Sequence, residues 1–66
     1  MEYMKRARKR RKLTQQQLAK RLNVSVSCVS LYESGKRLPN VDMAKLIGKT
    51  LGFKWTRFYD DGNVDM

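Results

Sequence analysis

The chain of 66 residues contains no histidine, one cysteine and one proline. Histidine is the commonest catalytic base and a common zinc ligand, so its absence excludes a Ser-His or Cys-His nucleophile and a conventional zinc cluster. The single cysteine, Cys28, excludes an internal disulfide and is more typical of a small, buried hydrophobic side chain than of a redox sensor. We therefore expect no catalytic residue, no metal ligand and no cofactor, and we expect that the chain is not an enzyme.

Long apolar segments are also missing. No run of about 18 apolar residues is available to span a bilayer, and the first residues do not form a charged and then apolar secretory signal. These absences predict a cytoplasmic protein that does not interact with membranes.

Positive charge, in contrast, is in excess. Lys and Arg number 15 against six Asp and Glu, for a net charge of +9, which favours a polyanionic partner. Residues 1–21 hold nine bases and only Glu2 as an acid, for a net +8; residues 22–40 carry +1, and residues 41–66 sum to zero. The distribution predicts a basic edge beside the first helices and a neutral end that faces another subunit.

The length predicts one small domain, residues 1–66, with an ordered core at about 3–60 and a frayed acidic tail at 61–66. Such a chain is near the lower limit at which a hydrophobic core suffices for stability. Since neither a disulfide nor a metal supplements that core, self-association as a dimer is the remaining source of stability.

The middle of the chain carries the clearest local signals. Thr14 and Gln17 have the spacing of a capping box, which begins a helix after Thr14. Asn23 tolerates the left-handed conformation in which a helix ends, and Ser25 is a good N-cap for a second helix. The stretch therefore predicts two short helices, at residues 15–22 and 26–34, joined by a tight bend.

Residues 24–30 also support a different prediction. They alternate apolar and polar side chains and are rich in β-branched residues, which favours a half-buried strand. We interpret them as helical because the chain has no second strand-like run for pairing. On that helix Val29, Tyr32 and Glu33 point toward the body of the protein. The opposite stripe consists of Val26, Ser27, Ser30, Leu31 and Ser34.

The flanking segments predict two further helices. The first covers about residues 3–12, with Met4, Ala7 and Leu13 toward the core. A loop at 35–39 follows the second central helix, and Asn40 then caps a helix at 41–51. Its apolar stripe is Val41, Ala44, Ile47 and Leu51, with Gly48 indicating close packing against another helix and Gly52 ending the helix.

The last segment, residues 54–59, carries three of the six aromatic residues and is too short to fold alone. Phe53 and Phe58 are most simply core residues that close the bundle. Trp55 and Tyr59 are expected to be partly exposed and available for a two-fold interface.

The window Gln15 to Ser34 resembles the helix-turn-helix of phage repressors. It has Gln at the first position, Leu-Ala at the fourth and fifth, a turn residue at the ninth, and Val at the tenth and fifteenth. The continuation E-x-G-x-x-x-P, from Glu33 to Pro39, is similar to the Cro-like, xenobiotic-response-element-type group of that family. The resemblance covers about residues 4–59, with Asn23 in place of the usual Gly and an unusually apolar recognition helix as departures.

The resemblance implies an all-α, compact five-helix, lambda-repressor-like DNA-binding domain that contains the helix-turn-helix. It also implies an ion pair between Arg8 and Glu33, and a dimer interface near the last helix, at Trp55, Phe58 and Tyr59. Base-contacting positions are Val26, Ser27, Ser30 and Leu31. Phosphate-contacting positions are Thr14, Gln15, Lys9, Ser34, Lys36 and Arg37.

These observations favour a sequence-specific regulator of transcription that binds double-stranded DNA. We expect a homodimer, at least on DNA, of the phage or prophage repressor type, located in the cytoplasm and associated with the nucleoid when bound. The alternative is a protein-interaction module, such as an antirepressor or an antitoxin-like partner that tethers another protein to DNA. A basic amphipathic helix on an anionic membrane is a third hypothesis, which the narrow apolar stripes disfavour.

Overall fold

The computed structural model describes residues 2–60, so the tail predicted at 61–66 lies outside the described residues. Within them the chain forms five α-helices and no strand, and no helix has the length and apolarity needed to cross a membrane. The predicted all-α, five-helix class is confirmed. The helices are α1 (Glu2–Arg10), α2 (Gln15–Leu22), α3 (Val26–Ser34), α4 (Val41–Leu51) and α5 (Arg57–Asp60).

The predicted caps are found at both ends of α2 and at the start of α3. Thr14 Oγ1 accepts from the Gln17 amide at 3.0 Å, and Gln17 Oε1 accepts from the Thr14 amide at 2.9 Å. Asn23 ends α2 in the left-handed conformation at φ 59°, and Ser25 Oγ accepts from the Cys28 amide at 3.1 Å. Residues 26–30 are therefore helical despite their alternating pattern.

The core is one apolar cluster to which α1, α2, α3, α4 and α5 all contribute. Ala19, which is 3% exposed, is small enough for α2 and α3 to cross closely, and Val29 fills the space beneath the crossing. Val24 packs against the edge of this cluster. The other buried members are Met4, Ala7, Leu13, Leu18, Leu22, Tyr32, Ala44, Ile47, Leu51 and Phe58.

The end of α1 differs from the prediction, because the helix stops at Arg10 and not near Lys12. Lys12 lies in the left-handed region at φ 59°. Its amide donates to the Lys9 carbonyl at 2.9 Å, and the Leu13 amide donates to the Arg8 carbonyl at 3.2 Å. This is the Schellman pattern of a helix end. Burial of the Leu13 side chain enforces the turn, although lysine is not a residue that favours it.

Helix α4 has the predicted cap and stop, with one correction to its buried stripe. Asn40 Oδ1 accepts from the Met43 amide at 2.8 Å, and Gly52 ends the helix at φ 82°. Val41, however, is 47% exposed. Side chains lean toward the N-terminus of their helix, so Val41, in the first turn, projects beyond the edge of the core.

The prediction that Gly48 packs against another helix is wrong, because its close neighbour is the backbone of the segment after α4. A Cβ atom at this position would lie 2.6 Å from the Phe53 carbonyl oxygen and 3.0 Å from the Trp55 amide nitrogen. The chain after α4 therefore folds back directly over Gly48.

Three aromatic rings attach this returning segment to α1. The Tyr3 ring centroid is 5.5 Å from that of Phe53 and 5.7 Å from that of Phe58, and Phe53 and Phe58 are 5.5 Å apart. Phe58 is only 3% exposed, so its predicted place in a dimer interface is wrong. Its ring is used entirely in closing the monomer, which leaves Trp55 and Tyr59 as the candidates at that surface.

Candidate nucleic-acid interface

Helix α3 presents an uncharged outer face to solvent. Val26 is 38% exposed, Ser27, Ser30 and Ser34 are exposed, and Leu31 is half-buried. The opposite side of α3, with Val29, Tyr32 and Glu33, is buried as predicted. Since Glu33 is the only charged residue of α3, the exposed face carries hydroxyl and methyl groups alone. Such groups suit contacts with the edges of base pairs, including the methyl group of thymine.

An ion pair at the end of α3 fixes the orientation of the helix. Arg8 Nε donates to Glu33 Oε2 at 2.6 Å and Arg8 Nη2 donates to Glu33 Oε1 at 3.3 Å, with both residues 8% exposed. Arg8 Nη1 also donates to the Leu13 carbonyl at 2.7 Å. This planar, two-point contact joins α1, the turn after it and α3, and it restricts rotation of α3 about its axis.

Gln15 extends the same network to the first residue of α2. Its side-chain Nε2 donates to Glu33 Oε1 at 3.0 Å, and the residue is partly buried. Gln15 was predicted as a phosphate contact. Its second amide hydrogen remains able to donate to a phosphate, but its position is now set by Glu33. No local pattern signals this contact, since the two residues are 18 positions apart.

Thr14, the other predicted phosphate contact at this end of α2, is exposed. Its hydroxyl oxygen accepts from the Gln17 amide, which leaves the hydroxyl proton to donate to an anion. The start of a helix also attracts negative charge through its unpaired amides and its dipole.

Lys5, which the sequence did not single out, lies beside the outer face of α3. It lines a groove together with Glu2, Gln15, Ser30, Glu33 and Ser34. Lys9, a predicted phosphate contact, is exposed one helical turn further along α1. A count of charges along the chain cannot identify Lys5, because its significance depends on how α1 packs against α3.

The loop after α3 places Lys36 and Arg37 in solvent. Gly35 ends α3 at φ 80°, and the amides of Lys36 and Arg37 donate to the Leu31 carbonyl at 3.0 and 3.2 Å. Further along the loop, the Tyr59 hydroxyl donates to the Pro39 carbonyl at 2.8 Å. The two cations therefore sit on a short loop that is anchored at both ends, next to the last turn of α3.

Ser34, also a predicted phosphate contact, is exposed at that last turn. Its hydroxyl donates to the Leu31 carbonyl at 3.2 Å. The hydroxyl can exchange this bond for one to a phosphate, because the Leu31 carbonyl also accepts from the loop amides.

Tyr32 is the buried polar residue beneath the face. Burial, and secondarily a hydrogen bond with Cys28, raises the pKa of the Tyr32 phenol to about 12. The phenol therefore remains neutral at physiological pH. Cys28 is a half-buried free thiol one turn away on the inner side of α3.

Trp55 and Tyr59 form a second, half-buried surface. Their ring centroids are 6.0 Å apart in an edge-to-face arrangement, and Lys45 Nζ lies 5.2 Å from the centre of the Trp55 ring. This surface shares no residue with the outer face of α3. The candidate dimer surface therefore uses different residues from the candidate nucleic-acid interface, and the Tyr59 hydroxyl connects it to the loop after α3.

The sequence is similar to those of known proteins. Residues 4–58 match the helix-turn-helix family model HTH_3. The chain is 35% identical over 60 residues to an uncharacterized HTH-type transcriptional regulator, YqaF, of Bacillus subtilis, covering 91% of this chain and 79% of that protein. It is 44% identical over 48 residues to the HTH-type transcriptional activator BcrR of Enterococcus faecalis.

The second alignment covers 73% of this chain and only 24% of BcrR, so the chain spans about a quarter of that relative. No solved structure gives a significant match. The family model, however, covers most of the sequence, including all of α2 and α3. The chain therefore belongs to the helix-turn-helix family, in its Cro-like, xenobiotic-response-element-type group.

Proposed function

We propose that this protein is a sequence-specific regulator of transcription that places α3 in the major groove of double-stranded DNA. The observation that carries the proposal is the uncharged, exposed face of α3 between cations on α1 and cations on the following loop. A duplex offers the complementary pattern, with base edges at the floor of the groove and phosphates on both sides.

Each part of the face has a role in this proposal. The methyl groups of Val26 and Leu31 contact thymine methyl groups, and the hydroxyls of Ser27 and Ser30 bond to base edges with weak discrimination. The phosphates on either side are held by Thr14, Gln15, Lys9, Ser34, Lys36 and Arg37, and Lys5 joins them from its position beside Ser30 and Ser34. The ion pair of Arg8 and Glu33 contributes by holding α3 in place.

We further propose that the protein binds its operator as a homodimer, with half-sites separated by about 34 Å, one turn of DNA. The Trp55 and Tyr59 surface supports this, because it is aromatic, partly exposed and shares no residue with the outer face of α3. Repression of a phage or prophage promoter is the proposed outcome, on the resemblance to phage repressors. The name of the BcrR relative records activation for that protein, so a reporter gene assay must decide the direction.

The test is footprinting on the DNA that adjoins the protein's own gene, followed by titration of the protected site. Ser27→Ala and Ser30→Ala should change the order of preference among single-base variants of the site. Lys9→Ala should weaken binding to all of them by a similar factor. The opposite result, with uniform weakening by the serine variants and altered preference for Lys9→Ala, would mean that another face reads the DNA.

The Trp55 and Tyr59 surface also supports an alternative function, that of a module which binds a different protein. Lys45 above the Trp55 ring gives that surface a charged rim, as protein interfaces commonly have. A stoichiometric partner that copurifies with the chain, together with no binding of the isolated chain to DNA, would favour this alternative over the regulator.

A further inference from the structure

A second group of cations lies on the side of α1 that faces the returning C-terminal segment. A cleft of about 130 Å³ is lined by Tyr3, Arg6, Arg10, Gly52, Phe53 and Arg57, with Ala7 beneath them. We call it the arginine cleft. None of its residues is among those proposed to bind DNA, although α1 contributes to both surfaces.

Three arginines, Arg6, Arg10 and Arg57, line this cleft, and no Asp or Glu of residues 2–59 lines it. Arg6 and Arg10 are four residues apart on α1, where like charges repel and lower helix stability slightly. The Arg11 guanidinium adds a fourth positive charge at the rim, since it lies against Gly52. The mutual repulsion of closely spaced cations is relieved when an anion binds.

The Tyr3 ring at the side of the cleft orients the Arg57 guanidinium group for binding a ligand. The Arg57 guanidinium carbon lies 4.6 Å from the centre of the Tyr3 ring. Stacking of this kind fixes the plane of a guanidinium while its N–H groups continue to point outward along that plane. Those donors match the paired oxygens of a phosphate or carboxylate.

We propose that the arginine cleft binds a small, doubly charged oxyanion, namely the phosphate group of a low-molecular-weight ligand. Several guanidinium groups favour a dianion over a monoanion, because the attraction scales with the charge of the ligand. The volume equals that of about four water molecules, at roughly 30 Å³ each. This is enough for a phosphate group, and the remainder of a larger ligand would extend into solvent. The proposal does not depend on the function proposed for α3.

The experiment is a titration of the ¹⁵N-labelled full-length chain with inorganic phosphate in chloride buffer at constant ionic strength. Amide chemical shifts report the binding. We expect saturable shifts at Tyr3, Gly52 and Phe53, and none when chloride is varied instead. Shifts that do not saturate, or that centre on α3 and the loop after it, would overturn the proposal.

A matched pair of variants distinguishes phosphate binding by the cleft from a general effect of positive charge. Arg6→Gln/Arg10→Gln and Lys5→Gln/Lys9→Gln each remove two charges from exposed residues four positions apart on α1. We expect the first to weaken phosphate binding at least tenfold and the second less than twofold. Arg57→Lys, which keeps the charge but loses the planar donors, should weaken it severalfold. Equal effects of the two double variants would overturn the proposal.

The source of the phosphate is tested with a short DNA duplex in place of inorganic phosphate. For a small ligand, the duplex should leave the cleft amides unshifted, and the Lys5→Gln/Lys9→Gln variant should lose more DNA affinity than the Arg6→Gln/Arg10→Gln variant. The reverse order, with cleft amides shifted by the duplex, would assign the phosphate to the DNA backbone and refute a small ligand.

Discussion

The side-chain amide of Gln15 donates to Oε1 of Glu33 at 3.0 Å and thereby connects the first residue of α2 to the last turn of α3. Arg8 of α1 binds the same carboxylate. The buried carboxylate of Glu33 on α3 therefore links α1, α2 and α3. The relative orientation of the proposed phosphate-binding and base-reading elements therefore depends on Glu33. This arrangement leads to the first prediction.

Removal of one charged partner from this site should be costly for folding. We expect Arg8→Ala to lower the free energy of unfolding by about 3 kcal/mol, since Glu33 would be left as a buried charge without its cation. Gln15→Ala should cost only about 1 kcal/mol, the value of one hydrogen bond. Urea denaturation of both variants measures the difference. A loss for Arg8→Ala no larger than that for Gln15→Ala would show that the ion pair does not organise the fold.

Salt dependence tests the electrostatic part of the DNA-binding proposal. Each phosphate neutralised contributes a slope of about −0.9 to the plot of log affinity against log salt concentration. With several cationic contacts in each subunit, the dimer should show a steep slope, which anisotropy titrations at a series of salt concentrations would measure. A slope as shallow as about −2 for the dimer would contradict the proposed contacts.

The left-handed conformation of Lys12 predicts a stabilising substitution. Lys12→Gly should raise the free energy of unfolding by about 0.5 to 1 kcal/mol, because glycine adopts φ 59° without steric strain. Lys9→Gly is the control, since it removes the same charge inside α1 and should lower stability by about 1 kcal/mol. Thermal denaturation of both proteins gives the comparison. Destabilisation by Lys12→Gly would mean that the lysine side chain itself stabilises the turn.

Gly48 should not tolerate even a methyl group. Alanine normally favours a helix by about 1 kcal/mol over glycine, but here its Cβ would meet the Phe53 carbonyl oxygen at 2.6 Å. We expect the clash to dominate and Gly48→Ala to lower stability by about 1 to 2 kcal/mol. Lys49→Ala, at the next and exposed position, should change stability by less than 0.5 kcal/mol, about the usual limit for surface sites. A gain in stability for Gly48→Ala would show that the returning segment yields easily.

The raised pKa of the Tyr32 phenol predicts a loss of stability at alkaline pH. The pKa of about 12 in the folded state exceeds the ordinary value of about 10 for tyrosine, so the folded state holds the phenolic proton more tightly. The stabilisation is complete below about pH 10 and is lost as the pH rises toward 12, up to about 3 kcal/mol in all. The unfolding free energy of the native chain should therefore decline more than that of Tyr32→Phe across this window. Parallel declines would place the phenol in a more solvated site.

The helix ends show which features are predictable from sequence. Thr14, Asn23, Ser25 and Asn40 act through bonds to atoms within a few residues, so their identity is enough to locate the caps. The end of α1 was misplaced for the opposite reason. Lys12 has no local preference for its turn, and the conformation follows from burial of Leu13.

The candidate site also has some residues that are predictable from sequence and others that are not. Periodicity was sufficient to assign Val29 and Tyr32 to the inner side of α3 and Ser27 and Ser30 to the outer side. It could not show that Lys5 lies beside α3 while Arg6, the next residue, faces the arginine cleft. That division depends on what packs against each side of α1, and the basic run therefore serves two surfaces.

The hydrogen bond from Tyr59 to the Pro39 carbonyl has a consequence for assembly. Tyr59 belongs to the aromatic surface proposed to meet a second subunit, whereas Pro39 terminates the segment that bears Lys36 and Arg37. A subunit contact that draws the Tyr59 phenol away would release that segment, and one that leaves it in place would stiffen it. Dimerisation would then change the affinity of each subunit for the sugar-phosphate backbone, and the hydrogen bond of the Tyr59 phenol would couple the two events.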